Sequence, residues 1–199
     1  MKLVHFRILA PAVISVAAMF SIATDTLAQE TPRVKFATTA GDFVVEVYPD
    51  KAPKTVENFL QYVKDKHYDG TLFHRVIPNF MIQGGGFDAK FIQKPTRAPV
   101  VHEGREALAK GGPKNVVGTL AMARTNDPQS ATAQFFINVK DNAFLDPTAQ
   151  SFGYTVFGKV VSGMDVIEKI KVTPTGAAGP FPSDVPKTQI LINSATLVK

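Results

Sequence analysis

The sequence predicts a mainly β protein in which eight strands close into a barrel, accompanied by two short helices. Eight runs of β-forming residues occur in a chain of 199 residues, and most follow one another with no helical segment between them. That order argues against parallel strand–helix–strand units. Closing the strands into a barrel leaves no sheet edge exposed, which suits so many short strands in a small domain.

The first 28 residues are typical of an export signal. Two basic residues precede an apolar run, residues 8–23, and small residues lead up to Ala28. We expect cleavage between Ala28 and Gln29. The run contains a proline and is shorter than the roughly 20 residues of a membrane-spanning helix. The mature chain is therefore predicted to be one periplasmic domain, residues 29–199, with no stable membrane insertion; an uncleaved anchor is the alternative.

Composition excludes several classes of protein. The chain has no Cys, which rules out a disulfide scaffold, a thiolate zinc site, a Cys nucleophile and a lipoprotein anchor. Its net charge is +5, and removal of the signal, with two basic residues and one acidic residue, leaves +5 − 2 + 1 = +4. The basic residues are scattered among acidic ones, so nucleic-acid binding has little support.

The first elements after the signal form a predicted hairpin. Residues 33–38 and 42–48 are rich in β-forming residues and are separated by Thr-Ala-Gly. In the second run Phe43, Val45 and Val47 alternate with other residues and so share one face of a strand.

Two helices are predicted from apolar residues at helical spacing. The first begins at Pro53, because proline is tolerated in a first helical turn. The second covers residues 162–171, where Ser162 and Asp165 resemble a capping box. The apolar stripes consist of Val56, Phe59, Leu60 and Val63 in the first helix and of Met164, Ile167 and Ile170 in the second.

The rest of the chain alternates between strands and long connections. Residues 84–115 and 141–153 lack periodicity, and loops of that length are usually functional or disordered. Residues 174–186 are rich in Pro and Gly and are predicted to be a surface excursion. The remaining strands are predicted at residues 71–77, 80–83, 117–123, 134–139, 155–161 and 189–198.

The common catalytic residue sets are absent from the sequence. His67, His74 and His102 remain after signal cleavage, and no pair of them has metal-ligand spacing. His74 lies in an apolar strand, which favours a structural role. No Ser lies in a nucleophile-elbow pattern. We therefore predict no metal and no cofactor.

One polar feature stands out within the apolar strands. Arg75 lies in an apolar strand, and two Gln residues lie in neighbouring ones. If the strand faces converge, they form an apolar pocket edged by a guanidinium and two amides; an ordinary core with a snorkelling Arg is the alternative. Residue spacing alone leaves both open. The faces carry Phe73, Arg75 and Ile77; Met81 and Gln83; and Gln134 and Phe136.

The segment that contains this arginine resembles the signature of cyclophilin-type peptidyl-prolyl cis–trans isomerases. Residues 73–85 read FHRVIPNFMIQGG, and other segments resemble the family in the same order along nearly the whole mature chain. Together with the export signal, residues 121–125 and 141–146 look most like the periplasmic bacterial branch. The other matching segments are residues 50–59, 120–123, 134–137 and 156–164.

The resemblance implies an antiparallel eight-stranded barrel capped by two helices, with a substrate groove on its outer surface. It implies an isomerase of proline-containing polypeptides in which Arg75 is the catalytic arginine and Gln83 holds the substrate backbone. The implied wall of the proline pocket is Phe80, Met81, Phe136 and Leu145, and the implied further groove residues are Ala123, Arg124, Thr125 and Gln134.

The chain departs from the common eukaryotic pattern of the family at three places, which comprise four residues. Phe144 stands where Trp is frequent, Tyr154 where a groove His is frequent, and Arg124-Thr125 where Asn-Ala is usual. Because Phe lacks the indole N–H, we expect weak binding of cyclosporin-type inhibitors. We expect a monomer that isomerises X–Pro bonds in exported proteins. The alternatives are a chaperone that holds such segments without turnover and a scaffold that docks a partner through residues 84–115.

Overall fold

The computed structural model describes Met1 and residues 31–198, so the rest of the predicted signal and its cleavage site lie outside the described residues. Within residues 31–198 no helix is long and apolar enough to span a membrane. The elements in chain order are β1 (Arg33–Thr38), β2 (Gly41–Val47), α1 (Pro53–Lys64), β3 (Thr71–Ile77), β4 (Met81–Asp88), α2 (Gly104–Ala109), β5 (Thr119–Met122), β6 (Phe135–Asn138), a 3₁₀ turn (Ala143–Leu145), β7 (Val156–Ser162), α3 (Met164–Lys171), β8 (Thr175–Ala178), β9 (Phe181–Pro186) and β10 (Leu191–Val198).

Eight strands form a closed antiparallel barrel, which confirms the predicted fold class. Their order around the barrel is β1-β10-β3-β4-β6-β5-β7-β2. In the first hairpin Phe36 and Phe43 are partners, and their rings stack with centroids 5.0 Å apart. Phe59 of α1 meets the ring of Phe135 edge-on at 6.2 Å. Many of the Phe residues in this Phe-rich sequence therefore fill the barrel core.

Helix α1 buries the predicted stripe and receives its N-terminal cap from a distant residue. No side chain at its N-cap position bonds the free amides of the first turn. Instead the buried carboxylate of Glu103 accepts hydrogen bonds from the Thr55 amide at 2.8 Å, the Lys54 amide at 3.2 Å and the Thr55 hydroxyl at 2.8 Å. This contact satisfies donors that every helix start leaves open and fixes the middle of the 84–115 segment onto the barrel.

Helix α3 begins differently from the prediction. Strand β7 extends through Ser162, and α3 starts after Gly163 with no side-chain cap, so the capping-box interpretation is wrong. Gly163 has φ 82°, and a Cβ there would lie 2.5 Å from the carbonyl oxygen of Asp42. A glycine is therefore needed where the chain turns from strand into helix against β2.

Two segments predicted to be loops contain regular structure. Strand β4 continues to Asp88, and α2 forms a six-residue helix later in the 84–115 segment. The surface excursion predicted at residues 174–186 is folded as the β8–β9 hairpin. Its Phe181 packs against the rings of His74 and Phe87, with centroids 5.3 and 5.0 Å away, so the hairpin covers the outside of β3 and β4.

Candidate active site

Strand register brings three predicted site residues into one row on the outer surface of the barrel. Arg75 of β3 is the partner of Gln83 of β4, and Gln83 is in turn the partner of Phe136 of β6. Directly paired residues on neighbouring strands lie on the same face of a sheet. The guanidinium, the amide and the aromatic ring therefore converge, which favours the pocket over an ordinary core.

Below this row lies an apolar cluster separate from the barrel core. Met81, Phe136 and Leu145 are buried in it together with Ala121 and Val156. The cluster forms the base of a pocket of about 100 Å³. Its lining residues are Arg75, Phe80, Met81, Gln83, Ala123, Arg124, Phe136, Leu145 and Tyr154, all of them predicted from the sequence.

Arg75 reaches this pocket with its hydrogen-bond donors unused. Its guanidinium carbon lies 6.0 Å from the centre of the Phe80 ring. In the part of the chain that the structure describes, the guanidinium makes no hydrogen bond or ion pair. Because a guanidinium carries five N–H donors and is always charged, it can donate to an acceptor placed in the pocket.

The two predicted amides are joined to each other. The Nε2 of Gln83 donates to the Oε1 of Gln134 at 2.9 Å. This bond fixes the orientation of Gln83 and leaves its carbonyl oxygen and its second N–H for another partner. The amide of Gln83 therefore faces the groove in a defined position.

A second pocket, of about 320 Å³, adjoins the first and shares Gln83, Ala123 and Arg124 with it. Its walls are mainly hydroxyl and amide side chains. Four of them, Gln93, Thr96, Ser130 and Thr132, were not predicted from the sequence because they lie in segments without periodicity. Only their position in the chain, after β4 or shortly before β6, could have indicated them. The second pocket is lined also by Gln93, Thr96, Thr125, Ser130, Thr132 and Gln134.

Phe144 is the predicted site residue that lines neither pocket. Its ring stacks on Phe80 with centroids 5.6 Å apart, and 72% of the residue is exposed. It therefore lies at the rim beside Phe80.

A buried polar network supports the segment that carries Phe144 and Leu145. The side-chain nitrogen Nδ2 of Asn142 donates to the backbone carbonyl of Phe80 at 2.8 Å and to the Oδ1 of Asn138 at 2.7 Å. The buried Asp146 carboxylate accepts from the backbone and side-chain nitrogens of Asn115, at 2.8 and 3.0 Å. Buried networks with all their hydrogen bonds formed rigidify the structure around them. This network therefore fixes Phe144 at the rim relative to Leu145 at the base of the pocket.

His74 is buried beside Phe87 and Phe181 and lines neither pocket. Burial lowers its pKa from 6.5 to about 4, so the ring is neutral at ordinary pH. Its position agrees with a structural role.

Comparisons with known proteins identify the family of this chain. The sequence profile described as cyclophilin type peptidyl-prolyl cis-trans isomerase/CLD matches residues 33–197. The chain is 52% identical over 167 residues to peptidyl-prolyl cis-trans isomerase B of Escherichia coli (strain K12), covering 82% of this chain and 98% of that protein. It is 47% identical over 193 residues to peptidyl-prolyl cis-trans isomerase A of Dickeya dadantii (strain 3937), covering 97% and 98%.

Solved structures share the fold. A cyclophilin type peptidyl-prolyl cis-trans isomerase of Cryptosporidium parvum superposes with a TM-score of 0.64 at 23% identity, covering 85% of this chain and 98% of that one. The barrel, the profile match over almost all described residues and the identity to bacterial relatives lead to one assignment. The chain belongs to the cyclophilin-type peptidyl-prolyl cis–trans isomerases and, as the signature segment indicated, is an isomerase.

Proposed function

We propose that this protein accelerates rotation about X–Pro bonds in exported polypeptides, with Arg75 as the catalytic residue. The observation that carries the proposal is the guanidinium of Arg75 at the edge of a pocket with an apolar base, with no hydrogen-bond partner among the described residues. The proposal covers residues 29–199 acting as a monomer in the periplasm after removal of the first 28 residues.

The chemistry needs no bond cleavage. Rotation about an amide bond faces a barrier of about 18–20 kcal/mol that comes from resonance, and an X–Pro bond takes tens to hundreds of seconds unaided. In the twisted state the prolyl nitrogen regains a lone pair that is delocalised in either planar state. A hydrogen bond donated to that nitrogen therefore exists only in the transition state and lowers the barrier instead of merely tightening binding.

The magnitudes are compatible with this mechanism. A turnover of roughly 1 to 10³ s⁻¹ needs only about 3–7 kcal/mol of transition-state stabilisation. A hydrogen bond from a charged donor contributes about 1.5–3 kcal/mol. The apolar base of the pocket excludes water, which strengthens the same bond. Positioning of the peptide then has to supply the remainder.

The other site residues supply that positioning. We assign the prolyl ring to the small pocket, against Met81, Phe136 and Leu145. Gln83, fixed by Gln134, holds the substrate backbone. The segment before the proline extends over Ala123–Thr125 into the polar pocket. A structure of the Cryptosporidium parvum relative was determined in the presence of the dipeptide ala-pro, which supports proline-containing peptides as the ligand class.

An exchange-NMR isomerase assay on an Ala-Pro-containing peptide tests the proposal. We expect the purified protein to broaden or exchange the cis and trans signals at substoichiometric concentration. Binding of the same peptide with no acceleration of exchange would contradict the proposal and favour a holding chaperone. Neither binding nor acceleration would leave the scaffold alternative.

A further inference from the structure

Arg124 borders both pockets, and its Nε, Nη1 and Nη2 atoms all donate hydrogen bonds to backbone carbonyls of this chain. Its Nε and Nη2 donate to the carbonyl oxygen of Gly153 at 3.1 and 2.8 Å. Its Nη1 donates to the carbonyl of Thr125 at 2.7 Å and lies 3.5 Å from that of Asn126. The guanidinium therefore joins the segment after β5 to the segment before β7.

The Gly153 carbonyl is held from a second side as well. The His102 Nδ1 accepts the Gly104 amide at 3.2 Å, which leaves the proton on Nε2, and that nitrogen lies 3.2 Å from the Gly153 oxygen. Gly153 has φ 61°, and a Cβ there would lie 2.5 Å from the nitrogen of Pro147. Only glycine fits this position, and its carbonyl is aimed at two donors.

Tyr154, the residue after Gly153, lines the proposed proline pocket and contacts Arg124. The guanidinium carbon of Arg124 lies 4.6 Å from the centre of the Tyr154 ring. Tyr154 in turn meets Phe136 edge-on at 5.5 Å, and its amide donates to the Leu145 carbonyl at 3.0 Å. Three contacts therefore connect Arg124 with two walls of the pocket.

We propose that Arg124 is a positioning residue: it fixes the Gly153 carbonyl and the Tyr154 ring, and through them the shape of the proline pocket. This inference rests on the proposed function and deepens it. It differs from the direct contact with substrate that a groove residue would make, because three N–H groups of the guanidinium already donate to backbone carbonyls of its own chain.

The side chain that performs this role has to be arginine. Its planar fork donates to two carbonyls in different segments while its face lies on an aromatic ring. A lysine keeps the charge but has neither the fork nor the planar face. The variants Arg124→Lys and Arg124→Ala therefore separate charge from geometry.

The experiment measures kcat and KM for the full chain, Arg124→Lys and Arg124→Ala, on three peptides with Glu, Ala or Lys two residues before proline. We expect Arg124→Ala to lose about three- to thirtyfold in kcat/KM, as the loss of a partly desolvated contact between a cation and a ring implies. Arg124→Lys is expected to lose activity as well, because a lysine lacks the planar fork that joins the two segments. The loss is expected mainly in KM and by the same factor for all three peptides. A Lys variant with wild-type kinetics, or a loss confined to the Glu peptide, would overturn the proposal.

A double-mutant cycle with Tyr154→Leu measures whether the effects of the two residues on KM are coupled. Coupling is expected if Arg124 acts through Tyr154, but not if Arg124 only stabilises the fold in general. If Arg124 acts through Tyr154, Arg124→Ala has a smaller effect on KM in the Tyr154→Leu variant than in the wild type. Equal effects in both backgrounds contradict the proposal. Wild-type turnover is measured first in the same assay, and an inactive wild type would refute the proposed function. If the wild type is active and Arg124→Ala has the same kcat/KM, only the positioning role is refuted.

Discussion

The guanidinium of Arg75 lies 6.0 Å from the centre of the Phe80 ring, across the turn that links β3 to β4. That turn is closed by a hydrogen bond from the Phe80 amide to the Ile77 carbonyl at 3.0 Å. A contact between a cation and an aromatic face holds the guanidinium without using its N–H donors. The arrangement places the charge at the pocket and keeps those donors available for a substrate.

Replacing Phe136 with Ala should weaken proline docking. The ring is 4% exposed and lies against Tyr154 at the base of the pocket, so its loss removes the surface that the prolyl ring is proposed to cover. We expect at least a tenfold rise in KM with a smaller change in kcat, in line with about 1.5–3 kcal/mol for burying a large apolar side chain. Phe136→Leu keeps most of the apolar volume and should lose less. Unchanged KM in a folded Phe136→Ala variant would contradict this assignment.

Replacing Phe144 with Trp should strengthen binding of a cyclosporin-type inhibitor. Phe144 is 72% exposed at the rim, so an indole fits there without repacking and adds an N–H donor. A single hydrogen bond contributes about 0.5–1.5 kcal/mol, which corresponds to roughly a two- to tenfold lower Kd. Isothermal titration of both proteins with the same inhibitor checks this. Equal affinities would show that the missing indole does not limit binding.

Replacing Glu103 with Gln should destabilise the fold. The carboxylate is 8% exposed and accepts three hydrogen bonds at the start of α1, whereas an amide offers only one oxygen. We expect the free energy of unfolding to fall by about 1–3 kcal/mol, measured by urea denaturation. Glu57→Gln, on the exposed side of the same helix, is the matched control and should change it by less than about 0.5 kcal/mol. Similar values for the two variants would contradict the cap.

Acid should destabilise the protein through His74. Burial lowers its folded-state pKa to about 4, below the 6.5 of the unfolded chain. Above pH 6.5 the His74 side chain is neutral in both the folded and the unfolded state. Between pH 6.5 and 4 it binds a proton only in the unfolded state, so the free energy of unfolding falls as the pH falls. This difference amounts to about 3 kcal/mol.

The variant His74→Phe places a ring of similar shape between Phe87 and Phe181 and removes the titration. Urea midpoints at several pH values between 7.5 and 4.5 should therefore decline less steeply for the variant than for the wild type. Carboxylates contribute equally to both proteins and cancel in the comparison. Parallel pH profiles would show that His74 does not titrate in this range.

The barrel strands and helix α1 could be predicted because their signals are local: alternating apolar residues in β2 and an apolar stripe at helical spacing in α1. The short helix α2 and the β8–β9 hairpin could not, since they depend on contacts distant in sequence, such as Glu103 with Thr55 and Phe181 with His74. The pocket residues could be predicted only from the resemblance to the family, because residue spacing alone left an ordinary core as an alternative.

The role of Arg124 shows where prediction from sequence ends. A motif places the residue beside the groove, and both pockets do include it. Its partner, however, is a backbone carbonyl at Gly153, 29 residues further along the chain, and a carbonyl has no sequence signature. Only the three-dimensional structure shows that its Nε, Nη1 and Nη2 atoms already donate to backbone carbonyls.

The most direct test of the account is the ratio of kcat/KM for the wild type to that for Arg75→Ala on one proline-containing peptide, measured by exchange NMR. The proposed hydrogen bond to the prolyl nitrogen predicts a ratio of at least ten, with an unchanged circular dichroism spectrum and nearly unchanged peptide binding. A folded Arg75→Ala variant that isomerises the peptide at the wild-type rate would contradict the mechanism.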